Sequence, residues 1–360
     1  MMKFLQLFLL CIVFQNASAQ LNKSQFSEID KIVNQLRSEG KLHGGILIAE
    51  GEIIIYENAF GMADRNLEIP NSTKTRFIIN SMGKMFTAIL TLQLVEDDSV
   101  KLDDPISKHL PWFKHPRAKD ITIHQLLSHR SGLIGYFDEQ IEGRLDFFIP
   151  QREVLDAMAQ LELNFEPGKG YDYSNTGYLL LGEIIMKYRN ADYYDVQQNR
   201  IFEPLGMTNT YNSTSIYGPG APVYYLQDGS PATPFPHSNY RGDGGSKSTL
   251  NDLHKFMLAL RSDKLLEPES WDLMFTEYSF PEEATRPFGA HFFSYGYGCG
   301  FFELPYSRNE KAIAVGHAGA GYGSSDFMIK YKDHDRIIIL WNNEYLNPIP
   351  MELFEELSKL

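Results

Sequence analysis

Short runs of apolar and β-branched residues near both ends of the chain predict β-strands. Two early runs, Gly45–Glu50 and Ile53–Phe60, are joined by a turn at Glu50-Gly51 and therefore predict a hairpin. Three late runs are separated by Gly-rich or charged turns and cover Ala312–Gly316, Asp326–Lys332 and Arg336–Asn342. We expect the early and late strands to share one sheet.

Apolar residues at helical spacing predict helices that flank this sheet. The first helix, Ser24–Glu39, has an apolar face formed by Phe26, Ile29, Ile32, Val33 and Leu36. The closing helix, Met351–Leu360, carries Leu353, Phe354 and Leu357 on one face. Between them the chain is mostly helical or loop-like, with helices predicted near Thr122, Tyr178, Ala191 and Thr249.

The whole pattern predicts an α+β fold in which one sheet domain is interrupted by an insertion. Residues 20–80 and 245–360 are expected to form the sheet domain, with the terminal helices packed on it, and residues 81–244 a mainly helical inserted region. A sizeable core is expected, since 43% of the residues are hydrophobic and 13% are aromatic. The sequence contains no solenoid repeat and no low-complexity tract.

The amino terminus predicts export. Lys3 precedes an apolar stretch, Phe4–Phe14, and Ala17-Ser-Ala19 offers small residues for cleavage near Ala19, so residues 1–19 are typical of a secretory signal peptide. The stretch is too short to span a bilayer, and no transmembrane span is predicted in the mature chain. A lipoprotein signal at Cys11 is disfavoured because Leu10 before it is bulky. We therefore expect a periplasmic or secreted protein.

Composition limits the classes of function. The net charge is −13, and a surface that binds nucleic acid needs clustered cations, so a nucleic-acid partner is not expected. The ten histidines lack the close pairing of metal sites. After cleavage the mature chain keeps one cysteine, Cys299, which permits neither an intramolecular disulfide nor a cysteine-based metal site. No cofactor and no metal are predicted.

Ser81-Met-Gly-Lys84 is typical of a nucleophilic serine with a neighbouring base. A serine hydroxyl needs a group that removes its proton as it attacks a carbonyl. If Ser81 opens a helix, Lys84 lies one turn above it on the same face. Ser38-x-x-Lys41 has the same spacing, but Ser38 closes the first predicted helix and Gly40 follows as its stop, so Lys41 lies beyond the helix end.

Two further motifs, Tyr173-Ser-Asn175 and His317-Ala-Gly319, follow along the chain. Each is common alone: Tyr-x-Asn occurs four times, and His-x-Gly also occurs at His43. Context distinguishes Tyr173 from the other Tyr-x-Asn copies, because Tyr173 stands after a Pro/Gly turn and before an apolar helix start.

In this order the three motifs resemble those of the serine beta-lactamase-like family, which includes class C beta-lactamases, DD-peptidases and related esterases. Tyr173 follows Ser81 by 92 residues (173 − 81) and His317 follows Tyr173 by 144 (317 − 173), comparable to the family's intervals. The resemblance extends through 122–133, 244–249 and 316–321, and covers nearly the whole mature chain. It implies a beta-lactamase/transpeptidase-like fold, with an antiparallel sheet flanked by the terminal helices.

The resemblance also implies roles for the motif residues. Ser81 would attack the carbonyl, while Lys84 and Tyr173 share the proton transfers; which of the two is the base stays open, since either would need a lowered pKa. Asn175 would hold a substrate amide or orient Lys84. By analogy, the backbone N–H groups of Ser81 and Ala320, the residue after Gly319, would form the oxyanion hole.

His317 departs from the beta-lactamases that carry Lys-x-Gly at the third motif. A lysine holds a substrate carboxylate, whereas histidine, with an ordinary pKa near ~6.5, is partly charged at neutral pH. The resemblance to histidine-bearing esterases and DD-peptidases is therefore closer. His317 and Gly319 are predicted to line the substrate site, and His317 is expected to gain charge toward pH ~6.

The predicted function is an exported serine hydrolase that forms a Ser81 acyl-enzyme with an ester, a D-amino-acid peptide or a lactam. Esterase or DD-peptidase-like activity is favoured, with a small-molecule, peptide or ester substrate that includes cell-wall peptide. Two alternatives stand beside it: a beta-lactamase proper, and a catalytically silent protein of the same fold that binds cell-wall peptide or penicillin. The sequence does not name the substrate or the oligomeric state.

Overall fold

A computed structural model describes residues 26–136, 149–212, 220–232, 240–282, 291–321, 323–344 and 351–359. The predicted signal peptide, residues 1–19, lies outside the described residues. Helix α1 covers residues 26–38. The other α-helices are α2 Lys84–Glu96, α3 Ile106–His109, α4 Ile123–Leu127, α5 Gln151–Met158, α6 Asn175–Arg189, α7 Tyr193–Gln197, α8 Leu250–Ala259, α9 Pro268–Met274 and α10 Met351–Leu357.

Seven antiparallel strands form the main sheet in the order β2-β1-β12-β11-β10-β9-β8. These strands are β1 Gly44–Glu50, β2 Ile53–Ala59, β8 Phe292–Tyr295, β9 Gly300–Ser307, β10 Glu310–Gly321, β11 Ser324–Tyr331 and β12 Arg336–Asn342. The first and last strands of the chain, β1 and β12, are neighbours in this sheet, and Gly44 pairs with Asn342. The prediction that early and late strands share one sheet is therefore confirmed, as is the α+β class.

Strand β8 was missed in the sequence because it is only four residues long, and β9 was missed because Gly300 and Pro305 interrupt its alternation. β10 is also longer than the predicted Ala312–Gly316, and its extension carries the third motif. The remaining strands are short: β3 Met62–Asp64 pairs with β4 Ile69–Pro70, and β5 Phe77–Ile78, β7 Ser246–Ser248 and β6 Tyr211–Asn212 form a three-stranded sheet. The predicted boundaries of the sheet domain and its insertion stay predictions.

Alternation along the strands divides the core between the two faces of the sheet. On one face, Ile46 and Ile48 belong to an apolar cluster with α1 and α10. On the other, Leu47 and Ala49 belong to a second cluster that includes α2, α6 and α8. The helices predicted at the two ends thus pack against the same face.

Helix α2 is buried on every side. All residues from Lys84 to Leu94 are buried, including the polar Thr91 and Gln93. These two side chains donate hydrogen bonds to the carbonyl oxygens of Thr87 and Leu265, at 2.8 and 2.9 Å. Because a buried polar group needs a partner, these bonds allow the helix to run through the core and position its first residue deep in the molecule.

Side-chain caps fix the starts of the helices that the sequence predicted in the middle of the chain. Thr122 forms a capping box with Gln125 at the start of α4, while Ser174 and Thr249 accept backbone N–H groups of α6 and α8. Such caps satisfy backbone donors that the helix itself leaves without partners. Among the described residues, no helix is long and apolar enough to cross a membrane.

Replacing Leu47 should test the packing of the sheet on the α2 cluster. Leu47 has no exposed surface, so Leu47→Ala should lower the free energy of unfolding by about 2 to 5 kcal/mol. Ile53, on the neighbouring strand, is 59% exposed, and Ile53→Ala should change it by less than about 0.5 kcal/mol. Urea unfolding of both variants measures the two values; equal losses would contradict the assignment of faces.

Candidate active site

Ser81 lies in a 3₁₀ turn, Asn80–Gly83, that leads directly into α2. Ser81 is partly exposed, whereas Lys84, the first residue of α2, has no exposed surface. The Lys84 Nζ donates a hydrogen bond to the Ser81 Oγ at 3.2 Å. The structure therefore brings these two side chains together at a helix start, as the motif spacing predicts.

The alternative pair, Ser38 and Lys41, has no such arrangement. Ser38 is exposed at the end of α1 and donates its hydroxyl to the carbonyl of Gln35. Lys41 instead forms ion pairs with Glu39 and Glu352. Ser38 is a helix-end residue here.

The surroundings of Lys84 lower its affinity for a proton. Its Nζ also donates to the carbonyl oxygen of Asp243 at 2.9 Å, and it lies 5.1 and 5.5 Å from the ring centres of Tyr173 and Tyr178. Burial lowers the pKa of Lys84 to about 8, and the Asp243 carboxylate partly opposes this change. An amine with this pKa is partly neutral near physiological pH, so it is able to accept a proton.

Asp243 was missed in the sequence, although it directly precedes the quoted segment 244–249. Its carboxylate is buried and accepts a hydrogen bond from the Tyr136 hydroxyl. Burial raises the pKa of Asp243, and Lys84 and Tyr136 oppose that rise. No short motif marks Asp243, because its relation to Lys84 arises from a contact across 159 residues.

Tyr173 places a buried hydroxyl beside the nucleophile. Contact with the Ser81 side chain lowers the pKa of Tyr173, but burial raises it by more, so the phenol is protonated at neutral pH. Burial thus moves the two candidate bases in opposite directions, Lys84 toward neutrality and Tyr173 away from ionisation. The phenol suits a group that donates or relays a proton.

Asn175 is the first residue of α6, held by the Ser174 cap. Its side-chain Oδ1 is buried and accepts no hydrogen bond from the part of the protein that the structure describes. A buried amide oxygen that lacks a donor costs free energy, so this atom suits a donor supplied by a bound molecule.

The structure corrects the expectation for His317. The ring has no exposed surface: Nδ1 faces the carbonyl oxygen of Ala318, and Nε2 lies 2.8 Å from the Tyr295 hydroxyl. Since a carbonyl oxygen accepts, Nδ1 carries the proton and Nε2 accepts from Tyr295. Burial and the Lys84 charge lower the pKa of His317 to about 3, so the predicted gain of charge near pH 6 does not occur.

Gly319 allows strand β10 to touch the nucleophile turn. A Cβ at this position would lie 2.9 Å from both the Asn80 Cβ and the Ile79 carbonyl oxygen, and 3.4 Å from the Ser81 nitrogen. Any larger residue would therefore push β10 away from the turn. Ala320, the next residue, is exposed, and β10 pairs with β9 no further than Gly316. One edge of residues 317–321 is thus unpaired with any strand of the described chain.

His129 is a second residue that the sequence did not single out. It lies in the quoted segment 122–133, is buried with φ +56°, and its ring centre is 4.4 Å from that of Tyr173. Its Nδ1 accepts the backbone N–H of Ser174 at 3.0 Å, which fixes the loop that carries Tyr173. Within the described residues, no group of three or more His, Cys, Asp or Glu side chains is arranged to hold a metal ion.

The burial of Lys84 predicts a pH-dependent stability. Between pH 8 and 10.5 the unfolded chain keeps the Lys84 proton while the folded protein loses it, so the parent gains stability as pH rises through this window. Lys84→Met removes this gain. The difference in free energy of unfolding between parent and variant should therefore shift by about 2 to 3 kcal/mol toward the parent between pH 7 and 10.

Urea unfolding at the two pH values measures that difference, and Lys31→Met, at an exposed lysine, is the control. A parent-to-variant difference equal at both values would contradict a lowered pKa for Lys84.

Comparison with known proteins places this geometry in a family. The chain matches the family described as Beta-lactamase over residues 29–350. It is 28% identical over 345 residues to penicillin-binding protein 4* of Bacillus subtilis (strain 168), covering 90% of this chain and 73% of that one. It is 25% identical over 310 residues to a teichoic acid D-alanine hydrolase of Staphylococcus aureus, covering 81% and 70%.

The fold is similar to that of a solved penicillin-binding protein from Bacillus halodurans, with a TM-score of 0.73 and 27% identity over 86% of this chain and 94% of that one. Because the family match covers most of the sequence and the relatives are hydrolases or penicillin-binding proteins of one fold, the protein is a serine hydrolase that belongs to the beta-lactamase family.

Proposed function

We propose that this hydrolase works through a Ser81 acyl-enzyme and that its substrates are esters or peptides of D-amino acids. One observation carries the proposal: the Ser81 hydroxyl lies 3.2 Å from the amine of a fully buried lysine whose pKa is lowered to about 8. A nucleophile beside a base with a pKa near the working pH is the arrangement that acyl transfer requires.

Lys84 acts as the base in this proposal. As the Ser81 Oγ bonds to the substrate carbonyl carbon, its proton moves to the Lys84 amine, and the carbonyl oxygen becomes an oxyanion held by the N–H groups of Ser81 and Ala320. The bond to the leaving group then breaks, and the Lys84 ammonium returns its proton through the Tyr173 hydroxyl to that group, so that both side chains regain their starting states. Water then attacks the acyl-enzyme carbonyl and gives a proton to the Lys84 amine. The acyl–Ser81 bond breaks as that proton returns to the Ser81 Oγ, which releases the acid product. The opposite pKa changes of Lys84 and Tyr173 support this division of work.

The neutral state of His317 limits which substrate groups are favoured near the third motif. A ring with a pKa of about 3 and both nitrogens bonded within the protein does not hold a carboxylate by charge. This favours a substrate whose group near the third motif is neutral, as in a simple ester or an amide, over a lactam antibiotic with its carboxylate. In place of direct binding, His317 orients Tyr295 at the wall of the site.

Asn175 and the relatives support a D-aminoacyl group. The free Oδ1 of Asn175 suits a substrate N–H, which an aminoacyl or peptidyl group supplies. One relative is a teichoic acid D-alanine hydrolase and another is a penicillin-binding protein, which favours a D-alanyl acyl group and a substrate from the cell wall. The predicted signal peptide and these relatives support an exported location.

Replacing Ser81 tests the nucleophile. Ser81→Ala should abolish hydrolysis of a D-alanyl ester and the mass increase that a fluorophosphonate leaves on the parent, because the variant lacks the attacking oxygen. Ser38→Ala, with the same change at the other Ser-x-x-Lys pair, should keep both. Intact mass and turnover are the measurements. A parent that is labelled by the fluorophosphonate but does not hydrolyse the D-alanyl ester would favour the silent binding protein. Labelling of the Ser81 variant would overturn the assignment of the nucleophile.

A pair of esters tests the neutral state of His317. The two substrates share an acyl group, and one has a carboxylate on the leaving group. Since the pKa of His317 is about 3, the ratio of their kcat/KM values should stay constant from about pH 5.5 to 8. Using the ratio removes the loss of the Lys84 base at low pH, which affects both substrates. A ratio that rises for the carboxylate ester toward pH 6 would show that His317 becomes charged there.

A further inference from the structure

Asn80, the residue before the nucleophile, has a strained backbone and a firmly held side chain. Its φ is +43°, in the left-handed region that side chains other than those of Gly, Asn and Asp rarely adopt. Its amide Nδ2 donates to the Ser324 Oγ at 2.9 Å and to the Asp326 Oδ2 at 2.5 Å. Both acceptors belong to β11, the strand next to β10, and are separated from Asn80 by more than 240 residues.

The Asn80 side chain reaches β11 by crossing β10 over two glycines. A Cβ on Gly319 would lie 2.9 Å from the Asn80 Cβ, and a Cβ on Gly321 would lie 2.7 Å from the Asn80 Oδ1. In the antiparallel register, Gly319 pairs with Asp326 and Gly321 with Ser324. The two acceptors therefore stand directly opposite the two glycines, and the amide lies across the strand between them.

The acceptor side of this bridge is built into the core. Ser324 and Asp326 are 1% and 2% exposed. Burial raises the pKa of Asp326 well above its ordinary range, and the hydrogen bonds from the Asn80 amide and the Asn342 backbone oppose that rise. A buried carboxyl group is costly to leave without hydrogen-bond donors. Breaking the Asn80 bridge therefore costs free energy, and the bridge is expected to stay formed.

The bridge joins the two parts of the proposed oxyanion hole. One donor, the Ser81 N–H, belongs to the turn that Asn80 begins, and the other, the Ala320 N–H, lies between Gly319 and Gly321 on β10. We infer that Asn80 is a positioning residue, whose amide bridge across β10 to Ser324 and Asp326 sets the separation between these two N–H groups. The inference rests on the proposed Ser81 mechanism and adds a residue that does not touch the substrate.

Stabilisation of an oxyanion depends steeply on the placement of its donors. Loss of one donor costs a factor of about 10² to 10³ in kcat, and a shift of about 1 Å in a reacting group costs about 10². A loosened turn should therefore lower kcat by about 10- to 100-fold while KM changes little, because the ground-state carbonyl makes weaker bonds to the hole than the oxyanion does.

The test compares an oxygen ester with its thiono ester, in which sulfur replaces the carbonyl oxygen. Sulfur is the weaker hydrogen-bond acceptor, so the ratio of kcat values for the two substrates reports how well the two N–H groups are placed. Asn80→Ala and Asn80→Gly should each lower kcat for the oxygen ester and reduce this ratio at least about fivefold, since both lose the bridge. The glycine variant keeps the positive φ without strain, which separates loss of the bridge from backbone strain.

Asp326→Ala removes one of the two acceptors and should change the ratio in the same direction. The double variant with Asn80→Ala should be no worse than Asn80→Ala alone, because that single change already breaks both bonds of the bridge. The matched control is Asn71→Ala, at a buried asparagine whose amide also makes two hydrogen bonds, to the Phe60 carbonyl and the Asn343 side chain. It should lower the melting temperature without changing the oxygen-to-sulfur ratio.

The outcomes separate the inference from the function on which it rests. A parent that hydrolyses the ester and is labelled at Ser81, with a reduced ratio in both folded Asn80 variants, supports the positioning role. Folded Asn80 variants that keep the parent ratio overturn that role and leave the proposed function intact. A parent that neither turns over nor is labelled overturns the proposed function and the inference together.

Discussion

The site depends on a lysine that is kept out of water. Lys84 begins a helix that is buried along its length, and its amine is enclosed by the Ser81 turn, the Asp243 carbonyl and two tyrosine rings. Removing an ammonium group from water is costly, and the protein meets that cost in part by releasing the proton. The same desolvation that weakens the fold at neutral pH therefore produces a base.

Close backbone approach makes this enclosure possible. A Cβ on Gly244 would lie 2.7 Å from the Asn80 carbonyl oxygen, and a Cβ on Gly242, which has φ +116°, would lie 2.1 Å from the Tyr178 carbonyl oxygen. These glycines let the segment that carries Asp243 lie directly against the Asn80–Gly83 turn and α6. From the other side, Gly319 lets β10 press on the same turn. The nucleophile is thus held between two surfaces that side chains would keep apart.

Lys84 and Asp243 are the groups whose charges matter most inside the site. Lys84 and Asp243 oppose each other's pKa changes, while burial and, to a smaller extent, the Lys84 charge lower the pKa of His317 and of His129. Both buried imidazoles are therefore neutral and serve as hydrogen-bonding and packing groups around Tyr173 and Tyr295. A third motif with lysine would bring a second ammonium into this enclosure, whereas histidine adds none.

The sequence determined the elements and the chemistry that depend on local spacing. Ser81 and Lys84 come together because three residues make one helical turn, the terminal helices follow from periodic apolar positions, and the caps at Thr122 and Thr249 mark helix starts. The tertiary structure alone decided what depends on burial and distant contacts. Strand β9, with its interrupted alternation, was defined by its pairing with β10.

The charge of His317 and the bridge from Asn80 to Asp326 show the same division. A histidine in a sequence carries its ordinary pKa near ~6.5, and only the enclosing core lowers it. An asparagine before a serine is unremarkable until a strand more than 240 residues away supplies its acceptors. Proton affinity and donor placement depend on the dielectric and the neighbours in space, which spacing along the chain does not encode.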